Sequence, residues 1–329
     1  MPELKRVSII GSGSCVPDKV LDNAYFEKIV DTSDEWITTR TGIKERRVTE
    51  NGVATSDLAS KAAEQALESA KIKADQLDLI VLGTVTPDNL FPSTACHVQR
   101  NIGASNAAAF DISAACSGFL YSLGVGYRLV STGNYKNALV IGAECLTKIT
   151  DYTDRASCVL FGDGAGAVIL QPNHHGHEVL YSYLGADGTG AEMMIQYAGG
   201  SRMPASHETV DKKLHVIKLR GREVYKFAVM KMADLVADAA KQCHIKVEDV
   251  ALIVPHQVNQ RILEAAAERL NISMDKIFVN IHKYGNTSAA SAAIALDEAR
   301  QSGRLKKGDY VVLVAFGGGL TWGVTVVKW

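Results

Sequence analysis

A chain of 329 residues, 47% apolar and 22% charged, has material for two ordinary domains or one double-sized unit with a large buried interior, and its formal charge of -1 gives no global drive toward nucleic acid. Its six cysteines, at positions 15, 96, 116, 145, 158 and 243, include no CxxC pair, which argues for reduced thiols rather than a disulfide framework or a zinc knuckle. The N-terminal apolar run is too short for a signal peptide and no apolar stretch approaches the length of a membrane span, so a soluble cytoplasmic protein is expected. Val7 to Ile10 predicts an opening strand, followed by a GSGS turn. Gly11-Ser12-Gly13 invites a dinucleotide-loop reading, but the third glycine is missing and Pro17 falls where the helix should run, which favours a plain glycine turn. Residues 31 to 47, DTSDEWITTRTGIKERR, place Arg40, Lys44, Arg46 and Arg47 close together beside one tryptophan. Two readings stay open: a solvated face, or a rim where Trp36 stacks on a planar group and arginines hold phosphates.

Thr55 to Ala70 carries Leu58, Ala62, Ala63, Ala66 and Leu67 at helical spacing, and LIVLG at 79 to 83 predicts a strand buried on both faces, as in a layered α/β fold. A loop and a helix from about Ser93 follow. The stretch AAAFDISAACSGFLYSL, 107 to 123, then reads as strand, tight turn, cysteine and helix, the helix running to about Val130. A thiol at the first turn of a helix faces unpaired N-H groups and the positive end of the dipole, so the pKa of Cys116 is expected to fall; a buried structural cysteine is the alternative. A strand at 137 to 141 and a glycine-bearing strand in FGDGAGAVIL, 161 to 170, complete this half.

From about Gln171 to Arg222 the chain is less regular and predicts an inserted cap. His174, His175 and His177 sit there in a Pro/Gly/His turn, but no carboxylate or cysteine spacing completes a metal site, and surface histidines are expected. The order of the first half then repeats: helix 224 to 239, strand 250 to 254, helix 257 to 270, strand 277 to 280, helix 287 to 299, strand 310 to 315, and a glycine loop before 324 to 327. Laying the strand at 79 over that at 250 sets Cys116 opposite Asn286 or Thr287, two helix amino ends where negative charge is welcome.

His256, in IVPHQVNQRI, follows a buried strand at the predicted start of a helix, a place that disfavours imidazolium and leaves a neutral donor or proton acceptor. Asn286, in HKYGNTSAAS, caps a helix or offers an amide to a ligand. Each alone is more often structural. Together a cysteine, a neutral histidine and an asparagine supply one group to hold an acyl chain and two to stabilise an enolate-type oxyanion. AFGGGLTWG, 315 to 323, adds backbone N-H groups suited to a thioester oxyanion, or forms a tight turn.

The motifs DTSDEWITTRTGIKERR, FPSTAC, DISAACSGF, TDRASCVLFGDGAGA, VPHQVNQRI, YGNTSAAS and AFGGGLTWG, running from residue 31 to 323, resemble those of the β-ketoacyl-(acyl carrier protein) synthase III family of initiating condensing enzymes. The resemblance implies a thiolase-like α/β fold of two pseudo-duplicated halves in five α-β-α-β-α layers. The expected division is 1-171 carrying the cysteine, 172-222 as a connecting cap, and 223-329 carrying the histidine and asparagine. It implies that Cys116 takes an acyl group from acyl-coenzyme A, with the N-H groups of Cys116 and Gly318 as oxyanion hole, while His256 and Asn286 hold the thioester carbonyl of malonyl-carrier protein as it loses carbon dioxide. Trp36, Arg40 and Arg155 resemble residues that hold the adenine nucleotide of coenzyme A, and Arg261 one that receives the acidic acyl carrier protein. Phe91 resembles a residue closing the acyl pocket across a homodimer interface. No metal or resident cofactor is implied, acyl-coenzyme A being a substrate, and neither nucleic acid nor a membrane is an expected partner.

Two departures concern the coenzyme A mouth: Arg222 stands where the family has an asparagine reaching toward the pantetheine arm, and the segment from about 170 to 222 is several residues longer than in short members. Elongating synthases use a Cys-His-His set and thiolases a second cysteine near the carboxyl end, both absent here. A synthase-III-like enzyme of secondary metabolism using another starter or acceptor stays as the second reading, and a non-catalytic acyl-coenzyme A or carrier-protein binding module as the third.

Overall fold

The computed structural model describes residues 4–172 and 176–329. Its main sheet has nine strands: β1 (Val7–Cys15), β2 (Leu79–Gly83), β3 (Ala108–Ile112), β4 (Ala138–Cys145), β5 (Asp163–Pro172), β6 (His177–Ala186), β7 (Val250–Pro255), β8 (Tyr310–Gly317) and β9 (Thr321–Lys328). The longer helices are α1 (Asp34–Thr41), α2 (Thr55–Ala70), α3 (Thr94–Ile102), α4 (Gly118–Ser131), α5 (Gly221–Gln242), α6 (Gln260–Leu270) and α7 (Ala290–Gln301).

The strand order is β3-β2-β4-β5-β1 in one half and β6-β9-β8-β7 in the other, joined through the antiparallel pair β1 and β6. Each half repeats one pattern. The pair β2-β4 is parallel and β4-β5-β1 antiparallel; likewise β7-β8 is parallel and β8-β9-β6 antiparallel. The duplication read from the order of apolar runs is therefore a duplication of hydrogen-bonding topology. Its layers follow from which faces are apolar. Helices α2 and α3 cover the outside of the first half, through Leu58, Ala62, Ala66 and Val98 against Ile80, Ile141 and Ile169. Helices α5 and α6 do the same for the second half, through Met232, Val236 and Leu263 against Ile253, Val312 and Val324. Between the halves lie α4 and α7, whose Phe119, Leu120, Leu123 and Leu296 share one core with Val81, Val168, Val254 and Leu313. Five layers result, in a thiolase-like arrangement.

Several expectations are corrected. The GSGS turn is the middle of β1: a Cβ at Gly11 would lie 2.7 Å from Ala66 O and one at Gly13 2.5 Å from Ala66 N, so these glycines let the strand touch the backbone of α2, and they cradle no nucleotide. The segment expected as an irregular cap contributes β6, the second half's counterpart of β1. His177 opens that strand, half-buried in a stack on Trp329 with ring centroids 3.6 Å apart, rather than sitting in a surface turn. His174 and His175 lie outside the described residues. The strand expected at 277 to 280 is reduced to one parallel bridge, Ile277 to Ile253. Helices α6 and α7 begin at Gln260 and Ala290, each three residues later than the apolar spacing predicts.

Candidate active site

The chain leaves β3 at Ile112 and turns through Ala115, whose φ of 46° lies in the left-handed region and costs an alanine on the order of 1 kcal/mol. Cys116 follows in a single 3-10 turn that runs into α4. Close packing holds this elbow. A Cβ at Gly83 would lie 2.4 Å from the carbonyl carbon of Gly118, and one at Gly118 would meet the Cβ of Ala289 at 3.0 Å. The amino ends of α4 and α7 thus meet on small residues. In the second half the left-handed residue before the helix is Ser288, at φ 47°, and matching it to Ala115 puts Ala289, not Asn286 or Thr287, at the position of Cys116.

Burial dominates the thiol. Cys116 is 5% exposed, and loss of hydration pushes its pKa up to about 12; the Ser288 hydroxyl favours the thiolate and the Glu144 carboxyl opposes it. The expected fall in pKa is thereby overturned: desolvation outweighs the helix end, and the resting group is the thiol.

His256 closes the end of β7, held by its N-H donating to Val314 O at 2.8 Å. Neither ring nitrogen has a protein partner among the described residues, the ring sits edge-on to Phe316, and burial pulls the pKa down to about 3. The imidazole is neutral as expected, but by burial rather than by a helix end, since α6 starts four residues later. A buried ring with both nitrogens free of protein partners has them available to a ligand or to water. It shares a narrow cleft with Cys116, Phe316, Gly317 and Leu320. Asn286 is buried too, tied through its backbone to Leu160 and Gly162. Its Oδ1 accepts from Ser288 N at 2.9 Å, which fixes the amide so that Nδ2 is the free donor.

The glycine loop packs on the elbow. A Cβ at Gly317 would lie 2.6 Å from Cys116 N, so only glycine permits this approach. Thr321 Oγ1 donates to Ala114 O at 2.9 Å and pins the loop to the turn before the cysteine. Gly318 lines, with Cys116, Ser288, Leu90, Ile149 and Ile217, an apolar cavity of about 520 Å³. A second cavity, of about 320 Å³, runs from Trp36, Arg40 and Arg261 at the surface to Asn286. Met194 borders both cavities and the cleft.

At the mouth, Arg40 and Arg155 both stack on the Trp36 ring, at 5.1 and 5.0 Å from its centroid. Arg261 is exposed at the start of α6, next to Lys226 and Tyr225. Of the basic cluster predicted at 40 to 47, Arg46 does not belong to the rim: it is fully buried, donating to Val159 O and Asn23 Oδ1 over the ring of Phe26. Arg47 pairs with Glu45. Arg222 lies in the first turn of α5, and its side chain falls outside the described residues. Phe91 is 86% exposed and does not line the cavity of its own chain, whereas its neighbour Leu90 does.

Three residues escape sequence reasoning. Gln257, expected to start a helix, is a buried strut: Nε2 donates to Pro255 O and Phe278 O, and Oε1 accepts from Asn280 N and Ile281 N, joining the His256 loop to the segment leading to Asn286. Glu144 is the penultimate residue of the apolar strand ALVIGAEC, its carboxyl fully buried, and it accepts from the hydroxyl of Ser288, which lines the same cavity as Cys116. The only available signal was a carboxylate inside an otherwise apolar run. Among the described residues no cluster of three or more His, Cys, Asp or Glu could hold a metal ion, and no helix is long and apolar enough to cross a membrane.

A thiolase-like fold with a buried cysteine at the head of a central helix, faced by an unpartnered neutral histidine, defines an acyl-transferring condensing enzyme. Comparison with known proteins narrows this. The 3-oxoacyl-[acyl-carrier-protein] synthase III family matches at residues 110–188, and its C-terminal domain at residues 240–329. The β-ketoacyl-[acyl-carrier-protein] synthase III of Caldanaerobacter subterraneus is 56% identical over 100% of this chain and 99% of its own, and that of Clostridioides difficile 55% identical over 98% of each. The crystal structure of the Aquifex aeolicus synthase III superposes with a TM-score of 0.90 at 46% identity, covering 98% of this chain and 100% of that one. The chain belongs to the β-ketoacyl-[acyl-carrier-protein] synthase III family.

Proposed function

We propose that the protein performs the initiating condensation of fatty acid synthesis in the cytoplasm: a decarboxylative Claisen reaction of an acyl-coenzyme A starter, acetyl-coenzyme A first among them, with malonyl-acyl carrier protein. The products are a 3-oxoacyl-carrier protein, carbon dioxide and coenzyme A. The observation that carries this reading is the continuous lining from the Trp36, Arg40 and Arg261 mouth past Asn286 and Met194 to the cleft shared by Cys116 and His256.

In the first half-reaction the Cys116 sulfur attacks the thioester, the N-H groups of Cys116 and Gly318 hold the oxyanion, and the coenzyme A thiol leaves. In the second, His256 and the Asn286 Nδ2 hold the malonyl thioester carbonyl while carbon dioxide departs, and the carbanion attacks acyl-Cys116. Neutral donors suit this step, because electrons flow into a carbonyl and no proton need first be lost. No resident cofactor takes part. Trp36, Arg40 and Arg155 serve the nucleotide end of coenzyme A, Arg222 its pantetheine arm, and Arg261 the acidic carrier protein. The exposure of Leu90 and Phe91 supports a homodimer in which Phe91 closes the partner's acyl pocket.

Purified protein incubated with labelled acetyl-coenzyme A and then malonyl-carrier protein is expected to retain label and pass it to a ketoacyl product; absence of both rejects the proposal. The mouth assignments separate kinetically. Trp36→Ala is expected to raise KM for acyl-coenzyme A about tenfold with kcat little changed, and Arg261→Glu to raise KM for the carrier protein alone. A fall in kcat without these KM changes rejects them.

A further inference from the structure

An acyl group carried on coenzyme A has to reach Cys116 through a space whose lining is continuous but whose void is not. The cavity that opens at Trp36, about 320 Å³, and the acyl cavity, about 520 Å³, have two described lining residues in common, Phe161 and Met194. The cleft shared by Cys116 and His256 measures about 10 Å³, room for at most about one water, so a thioester carbonyl enters it only when a lining group moves. Phe161 is not that group: it is 4% exposed, forms a parallel bridge to Asn286 and packs with Leu146 and Ile217. Met194 lines the cleft as well as both cavities, half-buried on a two-residue strand, Met194–Ile195, whose ladder partner is Lys218–Leu219. Its side chain leans over the glycine loop, where a Cβ at Gly318 would lie 3.4 Å from the Met194 Cβ and 3.6 Å from its Sδ. The other apolar walls of the cleft are stiffer. Val224 and Val258 branch at Cβ, and Phe227 packs against Phe316 and Trp322. An unbranched thioether with three rotatable bonds turns aside at the least cost.

We propose that Met194 is a specificity-determining residue, the movable partition between the coenzyme A side of the site and the acyl cavity. For acylation its side chain swings off Gly318, and the cleft and the two cavities become one channel. The starter's alkyl chain then crosses the junction and lies along Met194 in the acyl cavity, so a longer chain makes more contact with it than acetyl does. Size and flexibility at position 194 thereby set how far long starters are disfavoured against acetyl. The inference rests on Cys116 being the acylated residue.

The test measures single-turnover acylation of Cys116 by acetyl-, butyryl-, hexanoyl- and octanoyl-coenzyme A, in the wild type and in two variants whose folding is checked by thermal melts. Met194→Ala removes the partition, and its octanoyl-to-acetyl rate ratio is expected to rise about tenfold, the size of effect one methylene makes in an apolar pocket. Met194→Ile keeps nearly the same volume but branches at Cβ and cannot turn aside, so the same ratio is expected to fall about tenfold. A residue that only fills space predicts a different pattern: Met194→Ile close to wild type at every length, and Met194→Ala lowering all starters alike. A ratio that stays within about twofold of wild type, or moves the opposite way, in either folded variant overturns the inference, so one variant suffices if the other fails to fold. A wild type that no starter acylates rejects the proposed function and this inference together, whereas variants that are acylated with the wild-type ratio reject the inference alone.

Discussion

Cys116→Ala is expected to abolish retention of labelled acyl groups, a loss of at least about 10³-fold, whereas His256→Ala and Asn286→Ala retain label and lose condensation by about 10² to 10³-fold each. The asymmetry follows from where each group sits. Among the described groups lining the cleft Cys116 is the one thiol, and the oxyanion partners proposed for it are backbone N-H groups that neither alanine touches. In the proposed mechanism His256 and Asn286 contribute only donors to a second carbonyl, so removing either is expected to leave the first half-reaction intact. Burial holds His256 neutral down to a pKa of about 3, so condensation from pre-acylated enzyme is expected to show no acid limb near the ordinary histidine value. Equal loss of both half-reactions in His256→Ala, or such a limb present in the wild type and absent in His256→Ala, contradicts the assignment.

What the sequence reveals depends on whether the controlling contact is local. LIVLG at 79 to 83 and the alanine-rich face of Thr55 to Ala70 are read correctly because a buried strand and an amphipathic helix each declare themselves within a few residues. The elbow at Cys116 is readable for the same reason. Arg46 is not: its partners Val159 and Asn23 are 113 and 23 residues away, and a lone arginine among basic neighbours looks like a rim. Gly11 and Gly13 mislead because the helix backbone they touch lies over fifty residues further on. Gln257 passes for a helix residue until the segment from Phe278 to Ile281 is folded against it. The thiol pKa fails for a different reason: a helix end is visible in sequence, but desolvation belongs to all five layers at once and, at this site, it wins.

The glycine loop yields the second large effect. Gly317→Ala is expected to lower acyl transfer to Cys116 by about 10² to 10³-fold, the size seen when one oxyanion donor is withdrawn, with Gly318→Ala within about tenfold of wild type. Of the three glycines, Gly317 is where a side chain has nowhere to go: its Cβ would meet Cys116 N at 2.6 Å and Ser117 N at 3.1 Å, both backbone atoms that no rotamer change can move. The loop must then retreat from the elbow. Thr321 Oγ1, bonded to both Ala114 O and Gly318 O, resists that retreat, so the displacement falls on the N-H groups of Cys116 and Gly318. At Gly318 the nearest atom to a Cβ is Met194 O at 3.3 Å, a contact relieved by a shift of a few tenths of an ångström while the N-H survives. Single-turnover acylation with labelled acetyl-coenzyme A measures both variants, and thermal melts check that each is folded. A Gly317→Ala protein that is folded and acylates at the wild-type rate would show that the approach of this loop to Cys116 N is packing alone, and the oxyanion would need another donor.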